Sequence, residues 1–275
     1  MSAVDDAQSR SKWIIIYLVA VLFLSWVYTA FTFLRPERIK QFGLIMLIPG
    51  AVALVLNFFR YRSVSRVFSP LTRKIPARSL LFSIFYPLTF IAFCALVATI
   101  SDLAKIDSSK FTDLLPRIFS IYTLLFLLKL FGEEYGWRGF LLQELTFLKG
   151  PKVAAALVGL IWAIWHGPVV YGLATFFHVE HPVRLCLIQM GAVFVFSFPF
   201  AHSYLQGGSI IPPMLFHFLW NIYNPAVLGD IYRNDSGLMK GPIWLINGEG
   251  LFGVLFGLLF VAWFLRRPRT MGSIQ

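Results

Sequence analysis

Long apolar runs separated by short polar connections form the main pattern of this chain. Six runs contain no charged residue and are about long enough to cross ~30 Å of hydrocarbon as helices. A seventh, residues 118–128, reaches that length only if its helix continues to about Leu148, and an eighth covers residues 251–265. We predict an all-α fold: one polytopic membrane domain over residues 1–275 with about eight transmembrane helices. The six longer runs are residues 13–34, 42–59, 80–100, 153–177, 185–205 and 210–227.

The composition agrees with a membrane protein. The chain is 58% hydrophobic and 13% charged, whereas soluble domains carry about 25% charged residues. A net charge of +11 would suggest nucleic acid in a soluble protein, but in a membrane protein it indicates anionic headgroups and orientation. We therefore expect membrane lipids and no nucleic acid as partners.

The distribution of Lys and Arg predicts the orientation. Eight spans place both termini on one side, and the basic residues 60–78 contribute most to the positive excess there. This favours cytoplasmic termini, in the inner membrane if the source is bacterial. The first run is too long for a cleaved signal, so we expect it to remain as a span. Cys94 and Cys186 lie within predicted spans and indicate no disulfide framework.

One apolar segment holds three charged residues, Glu133, Glu134 and Arg138. Ionisable residues inside a membrane are costly and indicate function. Helical residues four apart share a face, so Glu134 and Arg138 are predicted to form a structural ion pair. Glu133 points elsewhere and is predicted to be the reactive carboxylate, a general base. The segment also contains three glycines that permit a bend or close helix approach: Gly132, Gly136 and Gly139.

Polar residues on two other spans are predicted to reach the depth of Glu133. His166, like Glu133, lies roughly 20 Å by helix rise from the connection at 148–152. His217 and Asn221 lie about 12–18 Å from the connection at 205–209, which must be on the same side. A shared site is therefore predicted. His178 and His181, with Glu180, could bind a surface metal, but we assign them to a solvated loop. His202 is assigned an interfacial or hydrogen-bonded role.

Three motifs occur in order: Glu-Glu-x-x-x-Arg at 133–138, Trp-x-x-x-His at 162–166 and His-x-x-x-Asn at 217–221. Together they resemble the CAAX-protease and bacteriocin-processing (CPBP, or Abi) intramembrane endopeptidases, which include the type II CAAX prenyl endopeptidases. The resemblance covers residues 115–225, the expected catalytic core. It implies that Glu133 and His166 activate a water, while His217 and Asn221 stabilise the oxyanion or orient that water. The implied substrate is a protein or peptide of the lipidated or membrane-associated kind.

Two details of the resemblance leave choices open. The family usually has Phe where this chain has Trp162, which we interpret as a packing position. The family is often described as metalloproteases, and Glu133, His166 and His217 could supply three ligands to zinc. The strong His-Glu-x-x-His signature is absent, so a zinc enzyme and a metal-free glutamate mechanism stand as equal alternatives.

Two functions from other classes are also compatible with these residues. In a proton-coupled transporter, Glu133, His166 and His217 would form a relay, although no second copy of the acidic segment is present in the sequence. In a catalytically idle membrane scaffold, the same residues would be dispensable. A third alternative, a haem-binding bundle, would use His166 and His217 as axial ligands but would give no role to the acidic cluster.

Overall fold

The computed structural model describes residues 3–113 and 121–267. They form a helical bundle with one two-stranded antiparallel ribbon, in which Lys105 pairs with Lys240. A 3₁₀ helix (Pro36–Met46) follows the first helix. The elements are α1 (Ala3–Phe33), α2 (Leu47–Tyr61), α3 (Val64–Val67), α4 (Ser69–Thr72), α5 (Ala77–Ile100), β1 (Lys105–Ile106), a 3₁₀ helix (Ser108–Asp113), α6 (Ile121–Glu134), a π-helix (Tyr135–Leu142), α7 (Gln143–Lys149), α8 (Pro151–Phe176), α9 (Pro182–Leu205), α10 (Ile211–Leu228), β2 (Met239–Lys240), α11 (Ile243–Ile246) and α12 (Leu251–Arg266).

Six helical segments are long and apolar enough to cross a membrane, which confirms the all-α membrane fold. The other two predicted spans are also helical. The first residues of the 118–128 run lie outside the described residues, and from Ile121 the helix continues through the π-helix to Lys149. This helix and α10 are too polar to meet the same criterion, because they contain the candidate site. Their membrane crossing stays a prediction. The six segments are Asp6–Phe33, Glu37–Tyr61, Ala77–Ile100, Pro151–Phe176, Pro182–Leu205 and Ile243–Arg266.

The polar helices are held by close packing against apolar ones. Glycines allow α2 to approach α6: a Cβ atom added to Gly50 would lie 2.5 Å from the carbonyl oxygen of Gly132. At Gly136, an added Cβ would lie 2.6 Å from the hydroxyl of Tyr17. Gly139 is less crowded, since the nearest atom to an added Cβ is 3.3 Å away on Ile210. The predicted close approach therefore occurs at the first two glycines of the motif segment.

One end of the bundle is closed by buried charges. The carboxylate of Glu144 accepts hydrogen bonds from Arg10 at 2.9 Å and Arg60 at 2.8 Å, joining α1, α2 and α7. Arg73 donates to the Gln143 side chain at 3.1 Å and to the Gly208 carbonyl at 3.2 Å. Within the basic stretch 60–78, Arg60 and Arg73 thus bind protein groups.

Candidate functional site

A cavity of about 190 Å³ lies between the helices and contains all four predicted catalytic residues in its wall. Glu133 comes from α6, His166 from α8, and His217 and Asn221 from α10. The rest of the wall is largely apolar and aromatic, with Trp162, Trp165, Phe196, Phe200 and Trp220 among its members. Residues more than 80 positions apart along the chain thus line one cavity.

Glu133 is buried, with 2% of its surface exposed. Its Oε2 accepts a hydrogen bond from the indole Nε1–H of Trp162 at 3.1 Å. This contact shows that Trp162 does more than pack. The Phe usual in the family has no N–H, so the indole adds a neutral donor to the carboxylate. Trp162 is a buried packing residue, as we interpreted it, and it also donates this hydrogen bond.

Glu134 joins two partners through one oxygen. Its Oε1 accepts hydrogen bonds from Arg138 Nη1 at 3.0 Å and from His217 Nδ1 at 2.8 Å, and all three side chains are buried. The Arg138 guanidinium also lies over the rings of Trp162, at 4.2 Å, and Phe200, at 4.3 Å. Glu134 is therefore more than the arginine clamp expected from the spacing, because it also orients the imidazole of His217.

Hydrogen bonds to Nδ1 determine that Nε2 is the ring nitrogen of His166 and of His217 that remains available to a molecule in the cavity. His166 Nδ1 lies 2.9 Å from the backbone carbonyl of Trp162. A carbonyl only accepts, so Nδ1 carries the proton, and Nε2 of the neutral ring keeps its lone pair. His217 uses Nδ1 toward the carboxylate of Glu134, which leaves Nε2 as the nitrogen available to a molecule in the cavity. Asn221, half-buried, lies one helical turn after His217 in the same wall.

The cavity wall contains a polar group that sequence reasoning missed. Glu249, in the connection between α11 and α12, accepts hydrogen bonds from Trp220 Nε1 and from Gln189 Nε2, each at 2.9 Å. Tyr232 lines the cavity beside it and is hydrogen-bonded to Gln189. The only sequence signal was an acidic residue just before the last apolar run, and nothing local connects it with α10.

The histidines outside the three motifs lie apart from this cavity wall. His202 is buried among aromatic rings, with its ring centroid 4.8 Å from that of Phe82 and 5.3 Å from that of Trp263. His181 lies 3.6 Å from Glu180 in an exposed connection, and both side chains are more than half exposed. Their positions give them no contact with the residues of the candidate site.

Zinc binding by Glu133, His166 and His217 stays a prediction. Across residues 3–113 and 121–267, no group of three or more His, Cys, Asp or Glu side chains is placed so that it could hold a metal ion. Glu133, His166 and His217 share the cavity without forming such a group, and His217 directs Nδ1 to Glu134.

Comparison with known proteins addresses the same part of the chain. Residues 115–223 match the family model described as "Type II CAAX prenyl endopeptidase Rce1-like". Over 151 residues the chain is 27% identical to "CAAX prenyl protease 2" of Methanococcus maripaludis, covering 49% of this chain and 48% of that protein. The chain thus spans about half the length of the curated relative it matches. The resemblance drawn from the three motifs is confirmed, and this integral membrane protein is similar, over the segment that contains Glu133, His166, His217 and Asn221, to the type II CAAX prenyl endopeptidases.

Proposed function

We propose that the protein is an intramembrane endopeptidase that hydrolyses a peptide bond with a water activated by Glu133 and His166. The observation that carries the proposal is the meeting of Glu133, His166, His217 and Asn221 in the wall of one cavity. Amide hydrolysis requires a base for the water and donors for the developing negative charge. The cavity provides groups suited to both requirements.

Water activation is assigned to Glu133 and His166. Glu133 has one oxygen engaged by the Trp162 indole, so its other oxygen can accept a proton from a water in the cavity. His166 presents the lone pair of Nε2, because Nδ1 donates to the Trp162 carbonyl. A water held between these two acceptors would donate to both, which orients its lone pair toward a substrate carbonyl. The proton taken up by Glu133 would then pass to the leaving amine.

Oxyanion stabilisation is assigned to His217 and Asn221. When His217 carries a proton on each nitrogen, Nδ1–H is held by Glu134 and Nε2–H can donate to the tetrahedral oxyanion. The Asn221 side-chain amide provides a second N–H donor. Such donors act more strongly in a water-poor site than in bulk water. The aromatic wall of the cavity supports this condition.

The substrate is proposed to be a protein or peptide, with a lipidated or membrane-associated segment as the preferred class. The relative named CAAX prenyl protease 2 supports a prenylated C-terminal peptide as the first compound to test. The apolar surroundings of the cavity suit a substrate that reaches it from the bilayer. An unmodified peptide of the same sequence is the matched comparison.

The test is a cleavage assay on purified protein in detergent and in liposomes. We expect peptide hydrolysis that is abolished in Glu133→Gln, His166→Ala and His217→Ala, while each variant keeps its thermal unfolding transition. The matched control is Glu180→Gln, which changes an exposed acid outside the cavity and should retain turnover. Equal turnover in all four variants would indicate that the cavity residues are not catalytic.

The same preparations separate the other two functions. A proton-coupled transporter would acidify the lumen of liposomes in a manner that Glu133→Gln abolishes, without any peptide cleavage. A scaffold would show neither activity and would bind its partners with Glu133 or His217 replaced. Removal of metal by a chelator, checked by elemental analysis, should leave peptide turnover unchanged.

A further inference from the structure

Glu249 is a second carboxylate in the wall of the cavity, and the water-activating chemistry does not use it. It lies outside residues 115–223, the part that matches the protease family. It is half-buried and precedes α12, so its charge is held close to the membrane-embedded part of the bundle. An acid in this position is costly unless it is paired or used.

The partners of Glu249 leave it without a compensating charge. One oxygen accepts from Trp220 and the other from Gln189, both of which are neutral. A carboxylate offers about four lone-pair positions, and the neighbouring Tyr232 hydroxyl also hydrogen-bonds to Glu249, so not all four positions are occupied. No Lys or Arg in the described ranges forms a salt bridge with Glu249, and the residues that line the cavity include neither type. Across residues 3–113 and 121–267, the protein therefore supplies no positive partner to Glu249.

The loop that contains Glu249 is fixed to α10 and directs the carboxylate to the reaction site. Asn224 on α10 donates to Asn247 at 2.8 Å and accepts from the Gly248 amide at 3.1 Å. The Glu249 amide donates to Asn247 at 2.7 Å. Trp220, which holds the carboxylate, directly precedes Asn221 in the chain. The anionic group thus lines the same cavity as the proposed oxyanion donors, His217 and Asn221.

We propose that Glu249 binds the positively charged side chain of a Lys or Arg residue that lies within a few residues of the scissile bond. This inference rests on the proposed endopeptidase function and adds a substrate preference to it. A substrate cation would fill the open lone-pair positions of the carboxylate with charge-assisted hydrogen bonds. The aromatic residues Phe196 and Trp220 line the cavity with Glu249 and suit the alkyl part of such a side chain.

The experiment measures cleavage of peptides that differ at a single position. Lys, Gln or Glu is placed in turn at each of the three positions on either side of the scissile bond, in one otherwise neutral peptide. At one or two positions we expect kcat/KM to be about tenfold higher for Lys than for Gln, and lowest for Glu. In Glu249→Gln the Lys-to-Gln ratio should fall to about one. In Glu180→Gln, which removes an exposed acid elsewhere, the ratio should keep its wild-type value.

A binding measurement separates this inference from the endopeptidase proposal. The Glu133→Gln protein, alone or combined with Glu249→Gln, is titrated with fluorescent Lys and Gln peptides. Tighter binding of the Lys peptide that disappears in the double variant supports the inference, even where the wild type cleaves nothing. Cleavage of the Lys, Gln and Glu peptides at equal kcat/KM would overturn the inference and leave the endopeptidase function intact. Failure to bind or cleave any peptide would overturn both.

Discussion

Glu133 and Glu144 are buried carboxylates on the same continuous helix, yet they have opposite surroundings. Both oxygens of Glu144 accept hydrogen bonds from arginines, Arg10 on α1 and Arg60 on α2. Glu133 has one neutral donor, the indole of Trp162. The two carboxylates are separated by eleven residues, about 16 Å of helix rise. The negative charge of Glu144, at the end of the bundle, is balanced by two arginines. Glu133, inside the bundle, keeps lone pairs that no arginine occupies.

The difference separates structural from reactive acids. A carboxylate held by two arginines stabilises the packing of the helices that carry them, and its lone pairs are occupied. A carboxylate held by one indole keeps lone pairs for a water in the cavity. Glu134 combines both properties, since it pairs with Arg138 and also orients His217. We infer that the charge and number of partners, rather than burial alone, distinguish the roles of these three acids.

The largest expected effect is the loss of turnover in Glu133→Gln. Removal of a general base typically lowers the rate by roughly 10²–10⁴-fold, and the amide can still accept the Trp162 hydrogen bond. The free energy of unfolding should therefore change little. Measurement of kcat beside thermal unfolding checks this expectation. A variant that unfolds at much lower temperature would place Glu133 with Glu144 among the structural acids.

Glu144→Ala is expected to lower the stability of the protein and to leave turnover unchanged. Loss of the Glu144 carboxylate leaves Arg60 without its acidic partner and Arg10 with Asp6 alone, which costs about 2–4 kcal/mol for an arrangement that is largely but not fully buried. The protein that remains folded should keep the wild-type kcat, since the cavity lies elsewhere. Unfolding curves in mild detergent and kcat on the folded fraction provide the test. A large fall in kcat without loss of stability would contradict the distinction between the two acids.

Glu134→Gln is expected to lower both stability and kcat. The change leaves the buried guanidinium of Arg138 without a counter-charge, which should lower stability by about 1–3 kcal/mol. It also weakens the orientation of His217, so kcat should fall by about tenfold. Arg138→Met is the matched variant, because it removes the cation while Glu134 keeps its contact with His217. If both variants reduce kcat equally at equal stability, orientation of His217 is not a separate role of Glu134.

The smallest effect is expected for Trp162→Phe, which installs the residue usual in the family. Phe keeps an aromatic ring against Arg138 but removes the N–H donor to Glu133. We expect kcat to fall by about threefold to tenfold, with KM and the unfolding temperature nearly unchanged. Trp165→Phe, at a neighbouring wall position, is the control for a simple change of ring size. Equal effects in the two variants would show that the indole hydrogen bond has no particular importance.

Much of the architecture could be predicted because it depends on local composition. Apolar runs indicated the helices, and the helix that contains the acidic segment continues to Lys149, close to the predicted Leu148. The spacing of Glu134 and Arg138 predicted a contact within one helix turn, and the two atoms lie 3.0 Å apart. The depth estimate for Glu133, His166 and His217 used only helix rise, and these residues line one cavity.

Other contacts could not be predicted, because they join distant parts of the chain. The bond between His217 and Glu134 spans 83 positions, and the bond between Trp162 and Glu133 spans 29. Each depends on how two helices are rotated about their axes. The position of Glu249 depends further on a loop held to α10 by Asn247. No spacing rule in the sequence contains this information.

The amino-acid sequence by itself determined that the chain is a helical membrane protein and which side chains are available for chemistry. These properties follow from hydropathy and from the fixed rise and turn of a helix, which act within one segment. Only the tertiary structure decided that arginines balance the charge of Glu144 and that Glu133 keeps lone pairs for a water. That choice depends on the arrangement of arginines, indoles and imidazoles contributed by different helices, and the free energy of a buried carboxylate is governed by those partners.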